Sequence, residues 1–317
     1  MGNSGSTSPA SLGKAHVPHL QWKVHDFSAL LEAGAKSAKS SYFHCSGYKW
    51  FLKVTPPVNK TTGAETPYVG LSLKLCWTSL EPGHTVNAVF ELSVYNYSKR
   101  MYYGCRASHK FDLENNQSKN ECLIPLQKLL KSSAFQVDGS CVFGVKILKL
   151  RVTSPEKKDV LVDKKATTIQ NLFVQKKGFI KGTYTWTMDN YLELDSKNFV
   201  GSPTFEVGGL KWHVSMYPSG TRHITDYISL FLYLEASDEL SAELGKVVEL
   251  TLSILDQKNG KHFTMTTGLS VFTGAYGFGW PKFLSLEKFK DPSGGYLVGS
   301  SCVVKADFTI VGSSNNG

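Results

Sequence analysis

Six cysteines, at 45, 76, 105, 122, 141 and 302, and nine histidines are the residues of this 317-residue chain best suited to attack a substrate or hold a metal. Their spacing supports neither use. No CxxC pair occurs, and in a reducing compartment scattered cysteines argue against both a disulfide framework and a zinc site. Only His16 and His19 fall at ligand spacing, in a polar N-terminal stretch; His213 and His262 alternate outward on expected strands. Cys141 and Cys302 sit beside Val142 and Val303 in equivalent contexts, a pattern of repeated core packing rather than of a nucleophile. The GxSxG, HExxH, Walker A and GxGxxG signatures are missing. Gly274-Ala-Tyr-Gly-Phe-Gly279 comes nearest to a phosphate cradle, but Trp280 and Pro281 follow it instead of Lys-Ser/Thr. The expectation is a chain that is no enzyme, with no catalytic residue, no metal site, no cofactor and no small-molecule substrate.

Binding chemistry is concentrated elsewhere. In Tyr227–Leu234 the residues Ile228, Leu230, Leu232 and Leu234 take the core phase of a strand, leaving Tyr227, Ser229, Phe231 and Tyr233 on the other face. Leaving two aromatics in water forgoes about 1.5–3 kcal/mol each. A ligand or a neighbouring domain should therefore cover Phe231 and Tyr233. At the N-terminus, Met1-Gly2-Asn3-Ser4-Gly5-Ser6 fits the M-G-x-x-x-[ST] pattern, which makes Gly2 a candidate lipidation site. One myristoyl chain anchors only marginally, so membrane association would need basic charge as a second signal.

The elements that must position these residues are strands, arranged twice. Hydrophobic residues make up 41% of the chain and aromatics 12%, enough for a sizeable core, and no run is long and apolar enough for a membrane helix. HLQWKVHDFSALL (19–31) aligns with TYTWTMDNYLEL (183–194), and SSYFHCSGYKWFLKV (40–54) with SPTFEVGGLKWHVSM (202–216). IPLQKLL (124–130) aligns with LSLEKFK (284–290), and GSCVFGVKI (139–147) with SSCVVKADF (300–308). The offset is 164 at Trp22/Trp186, 162 at Trp50/Trp212, 160 at Ile124/Leu284 and 161 at Cys141/Cys302, too constant for chance. One domain has been duplicated. Period-two alternation predicts an all-β fold of two tandem antiparallel β-sandwiches with roughly eight strands each. One short helix is expected per copy, near Leu126–Lys131 and Leu286–Lys290.

The expected organisation is a disordered tail at 1–16, a first domain at 17–153, a lysine-rich solvated linker at 154–178, a second domain at 179–312 and a disordered tail at 313–317. Within the linker a short helix or strand is expected around Ile169–Val174. Charge is uneven: residues 1–153 carry 18 Lys and Arg against 9 Asp and Glu, while residues 180–317 carry 11 against 14. A basic first half raises nucleic acid or an anionic membrane as partners, although no RGG run, RNP motif or basic helix is present.

The second copy resembles the MATH (TRAF-like) domain, on the strength of TYTWTMDNY, SPTFEVGGLKWHVSMYPSG, DYISLFLYL, FGWPKFLSLEKF and YLVGSSCVVKADFTIV. The first copy is similar but looser: KNECLIPL (119–126) replaces the Gly-Trp pair, and Gly70 and Ser72 stand where the second copy has Ser229 and Phe231. The resemblance implies binding of short, extended, often Ser/Thr-containing peptides. It places the groove on Phe231, Phe278 and Trp280, with Ser270 and Leu250 as a further wall, and leaves the first copy without an equivalent. It also implies an adaptor of plant type, in ubiquitin-linked or defence-related assemblies, open to MATH–MATH association; a cytoplasmic location is expected from the polar N-terminus MGNSGSTSPASLGKAH, which lacks the apolar stretch of a secretory signal. No BTB, RING or protease module accompanies the two copies in these 317 residues.

Overall fold

The computed structural model describes residues 6–58, 66–153, 157–162, 166–194, 196–221, 223–235, 244–274 and 276–317. Among the described residues strands take up 56% and helix 8%, so helices serve only to link and cap sheets. The chain forms two compact units, Met1–Lys176 with Ser313–Gly317, and Lys177–Gly312.

The first unit contains β1 (Ala10–Ser11), β2 (Leu20–His25), β3 (Ala38–Lys39), β4 (Phe43–Cys45), β5 (Tyr48–Val58), β6 (Tyr68–Leu75), β7 (Thr85–Asn96), β8 (Met101–Phe111), β9 (Glu121–Pro125), β10 (Cys141–Thr153), β11 (Lys157–Val160) and β12 (Thr168–Val174). Helices α1 (Phe27–Glu32) and α2 (Leu126–Lys131) link them. The second unit contains β13 (Ile180–Met188), β14 (Val200–Gly201), β15 (Phe205–Val207), β16 (Leu210–Tyr217), β17 (Tyr227–Leu234), β18 (Leu244–Ile254), β19 (Phe263–Thr266), β20 (Ser270–Phe272), β21 (Phe278–Ser285) and β22 (Cys302–Asn316) up to Gly312, its end from Ser313 belonging to the first unit, with α3 (Tyr191–Leu194) and α4 (Leu286–Lys290). In the first unit β1-β8-β7-β10-β2-β12 lies opposite the small sheet β3-β5-β6-β9; in the second, β13, β22, β18 and β19 lie opposite β14-β16-β17-β21.

Alternation builds both cores. Leu20, Trp22 and Val24 are buried while Gln21, Lys23 and His25 are half-buried, as a strand with one core face requires. Trp50 meets Phe111 edge-on at 5.1 Å, and Trp212 meets Phe272 edge-on at 5.6 Å. The duplication extends to polar detail. The Trp50 indole donates to the Cys45 carbonyl at 3.3 Å and that of Trp212 to the Val207 carbonyl at 3.2 Å. The Ser40 hydroxyl accepts from the Leu52 amide and that of Ser202 from the Val214 amide, each at 3.0 Å.

The ends differ from expectation, whereas the connector carries the expected short element as a strand but packs it into a sheet instead of leaving it solvated. Residues from Ser6 onward run along the edge of β8: Thr7 N–H donates to the Arg106 carbonyl at 2.9 Å and Leu12 N–H to the Tyr102 carbonyl at 3.0 Å. His16 is buried, its Nδ1 2.9 Å from Glu91 Oε2. At the other end β22 continues to Asn316, where Ser314 Oγ donates to the Asn171 carbonyl at 2.7 Å and Gly317 N–H to the Ile169 carbonyl at 3.0 Å. The connector supplies β12, parallel to β2, with Leu172 fully buried. The physical reason is shared: a strand edge offers backbone partners to any extended segment, so polar Ser/Gly/Asn stretches can be ordered without an apolar signature. Gly2 lies outside the described residues.

Candidate partner-binding site

In the second unit, the outward face of β16-β17-β21 is set by register. His213 stands opposite Tyr233, Ser215 opposite Phe231, Tyr217 opposite Ser229, and Phe231 opposite Gly279. Directly opposed residues project to the same side, so these side chains form one layer. The His213 and Tyr233 rings stack at 5.1 Å with planes 4° apart, and Tyr217 meets Phe231 edge-on at 5.8 Å. Phe231 is only 5% exposed, whereas Tyr217 and Tyr233 are half-buried. Burial, with Tyr217 alongside, pushes the Tyr233 phenol above its ordinary range. A hydroxyl donated by Thr204 at 2.6 Å, with His213 at 3.3 Å, holds the Glu235 carboxyl at the rim below the usual carboxylate range.

The Gly-rich stretch before Trp280 makes this layer possible. A Cβ on Gly277 would lie 2.5 Å from the Tyr233 ring, and one on Gly279 would meet the backbone of Leu230 and Phe231. The glycines allow close approach of β21 to β17. Ser229 Oγ donates to the Pro281 carbonyl at 2.5 Å beside the register shift between Ile228 and Leu230. Strand β21 ends its sheet, a position where a proline without N–H is tolerated.

Of the five residues assigned to a groove from the resemblance, only Phe231 lies in this layer. Phe278 and Trp280 stand opposite Leu232 and Leu230 and project to the core side, with Phe278 4.6 Å from the Phe272 ring and Trp280 5.8 Å from that of Phe283. Leu250 is fully buried in the core, in phase with Val248 and Leu252. Ser270 is also fully buried, its hydroxyl donating to the Gly268 carbonyl at 3.2 Å. Tyr217 belongs to the layer and was not singled out. Its signal was the alternation His213-Ser215-Tyr217, read against the opposing phase of β17.

Residues 19–147 and 183–308 each match the MATH domain. The chain belongs to the MATH domain family. MATH and TRAF-like domains are protein-interaction modules, and that is the class of this chain's two units. Two relatives come from Arabidopsis thaliana. TNF receptor-associated factor homolog 1a is 28% identical over 142 residues, 44% of this chain and 13% of that protein. Ubiquitin C-terminal hydrolase 12 is 27% identical over 164 residues, 51% of this chain and 13% of that protein. The chain thus spans about an eighth of the length of these two relatives. Among solved structures, Notothenia coriiceps TRAF5 is similar with a TM-score of 0.35 and 20% identity, over 41% of this chain and 74% of that one.

The first MATH unit has a cleft of about 780 Å³ over the outer side of β7, β8 and β10. Lys110, Lys119, Lys149 and Arg151 line it, with Asp112 the one carboxylate among its lining residues.

Proposed function

We propose that this tandem MATH chain is a non-enzymatic interaction protein whose second unit takes a short extended peptide of a client protein along β21. The ligand backbone would pair with the edge strand, and alternate side chains would rest on Tyr217, Phe231 and Tyr233. The observation that carries this reading is the layer itself: three aromatics and a stacked His213 beside a strand thinned by Gly277 and Gly279. Such contacts give weak binding strengthened by multivalency, which a role as adaptor would exploit. The names of the relatives support an adaptor in a ubiquitin-linked setting.

An array of extended peptides probed with the full chain tests it. Replacing the half-buried rings together, Tyr217→Ala with Tyr233→Ala, is expected to weaken retained peptides at least about tenfold while circular dichroism stays native. Unchanged binding by the folded double variant would remove the face from the account. A second reading, that the basic first unit binds nucleic acid, is favoured by the cleft of Lys110, Lys119, Lys149 and Arg151. It predicts oligonucleotide affinity falling steeply between about 50 and 200 mM salt. Peptide binding at the aromatic face should hardly change over that range.

A further inference from the structure

The outer side of the first unit's small sheet occupies the place that the aromatic layer holds in the second. Lys39 of β3 stands opposite Lys53 of β5, Lys53 opposite Ser72 of β6, and Phe51 opposite Lys74. By the alignment of the copies, Ser72 takes the position of Phe231, Lys53 that of Ser215 and Lys74 that of Tyr233. Where the second unit has Phe231 and Tyr233 this sheet has Ser72 and Lys74, with two further lysines, Lys39 and Lys53, beside them. The ammonium nitrogens of Lys39 and Lys74 lie 5.8 and 5.6 Å from the centre of the Phe51 ring, which Tyr42 meets edge-on at 5.4 Å.

No carboxylate among the described residues acts on any of these lysines. Besides burial, Lys39 feels Lys74 and Lys53, and Lys74 feels Lys53 and the Cys76 thiol. Burial and this mutual repulsion push the Lys39 amine down to about 7. Ser72 lies amid the group, fully buried, and its Oγ has no hydrogen-bond partner among the described residues. A buried hydroxyl without a partner costs stability, as do gathered like charges. Both costs are relieved by one kind of occupant, an anion with several acceptor oxygens.

We propose that Lys39, Lys53, Lys74 and Ser72 form a binding site for a phosphorylated side chain carried on an extended peptide. A phosphate monoester brings about −1.5 to −2 charges and three acceptor oxygens, which matches three ammonium donors and a hydroxyl better than one carboxylate does. The three lysines are half-buried, so their ammonium groups remain within reach of an incoming side chain, and the Phe51 and Tyr42 rings beside them suit the flanking apolar residues of a peptide. The peptide part rests on the reading above that these units bind extended clients; the anion part stands without it.

The test uses the full chain and a degenerate nine-residue peptide library with a central phosphoserine, compared with the same library unphosphorylated and with inorganic phosphate. The expected result is at least about tenfold preference for the phosphorylated library, lost in Lys53→Met with Lys74→Met and retained in Lys53→Arg. Ser72→Ala should reduce binding severalfold while the melting temperature of the free protein rises, because a buried hydroxyl without a partner is removed. The preference should survive Tyr217→Ala with Tyr233→Ala, which separates this site from the aromatic face. Equal retention of the two libraries, or full retention by a folded Lys53→Met/Lys74→Met variant, would overturn the site. Binding of inorganic phosphate without preference for the phosphorylated library would overturn the peptide assignment. So would stronger capture of phosphatidylserine vesicles or a 20-mer oligonucleotide that the same variant abolishes.

Discussion

Replacing Lys39 by methionine should stabilise the protein, and the gain should depend on pH. An amine that titrates at about 7 in the fold and at 10.5 in the unfolded chain is destabilising wherever it is held charged. Kept protonated below pH 7, such a group costs at most about 4–5 kcal/mol. Lys39 is only half-buried, so part of its hydration survives and the realised cost should be about 1–3 kcal/mol. Between pH 7 and 10.5 the unfolded chain binds the extra proton, so stability rises with pH across that window and the deficit is gone above it. Methionine keeps an unbranched stem against Phe51, and its sulfur–aromatic contact offsets a lost cation–π contact of about 0.5–1 kcal/mol. Urea denaturation of the full chain, wild type against Lys39→Met, checks this at pH 6.5 and 9.5. The variant should be more stable by about 1–3 kcal/mol at the lower pH, with the gap narrowing at the higher. The overall positive charge affects both proteins alike and cancels in the difference. A variant less stable at both values, or a gap that ignores pH, would refute the argument that Lys39 is a desolvated cation without a counterion.

Two further outcomes follow from packing. Gly277→Ala forces the Tyr233 ring off His213 and should cost about 1–3 kcal/mol of second-unit stability, read as a fall in melting temperature. Burial pushes the thiols of Cys141 and Cys302 up to about 12, so in native protein at pH 8 both should resist iodoacetamide while the half-buried Cys122 is alkylated first, as peptide mass mapping would show.

The fold was largely legible because its signals are local. Matched tryptophans and period-two alternation reveal two copies, and Trp22, Trp50 and Trp212 are completely buried where that pattern puts them. Helices α2 and α4 occupy the expected Leu126–Lys131 and Leu286–Lys290. The site was legible only in part, because it depends on register between strands distant in sequence. The pairing of Leu230 with Trp280 and of Leu232 with Phe278 puts both aromatics on the core side, in phase with buried Leu284, and leaves Gly279 beside Phe231. The aromatic phase of β21 does not by itself say whether it faces core or ligand; its pairing with β17 does. The lysine cluster was hidden for the same reason: Gly70, Ser72 and Lys74 read as an ordinary polar face until Lys39 and Lys53 are paired beside them. Ordered Ser/Gly/Asn ends escaped notice because backbone pairing at an edge leaves no compositional trace.

The central claim is that the β16-β17-β21 face receives an extended peptide, and an amide footprint measures it most directly. A peptide selected on the array is bound to the full chain, and amide exchange is compared with and without it. The account predicts added protection along β21 around Gly279 and shifted resonances for Tyr217, Phe231 and Tyr233, all lost in Tyr217→Ala with Tyr233→Ala. Protection confined to strands outside β16, β17 and β21, with those resonances unmoved, would contradict it.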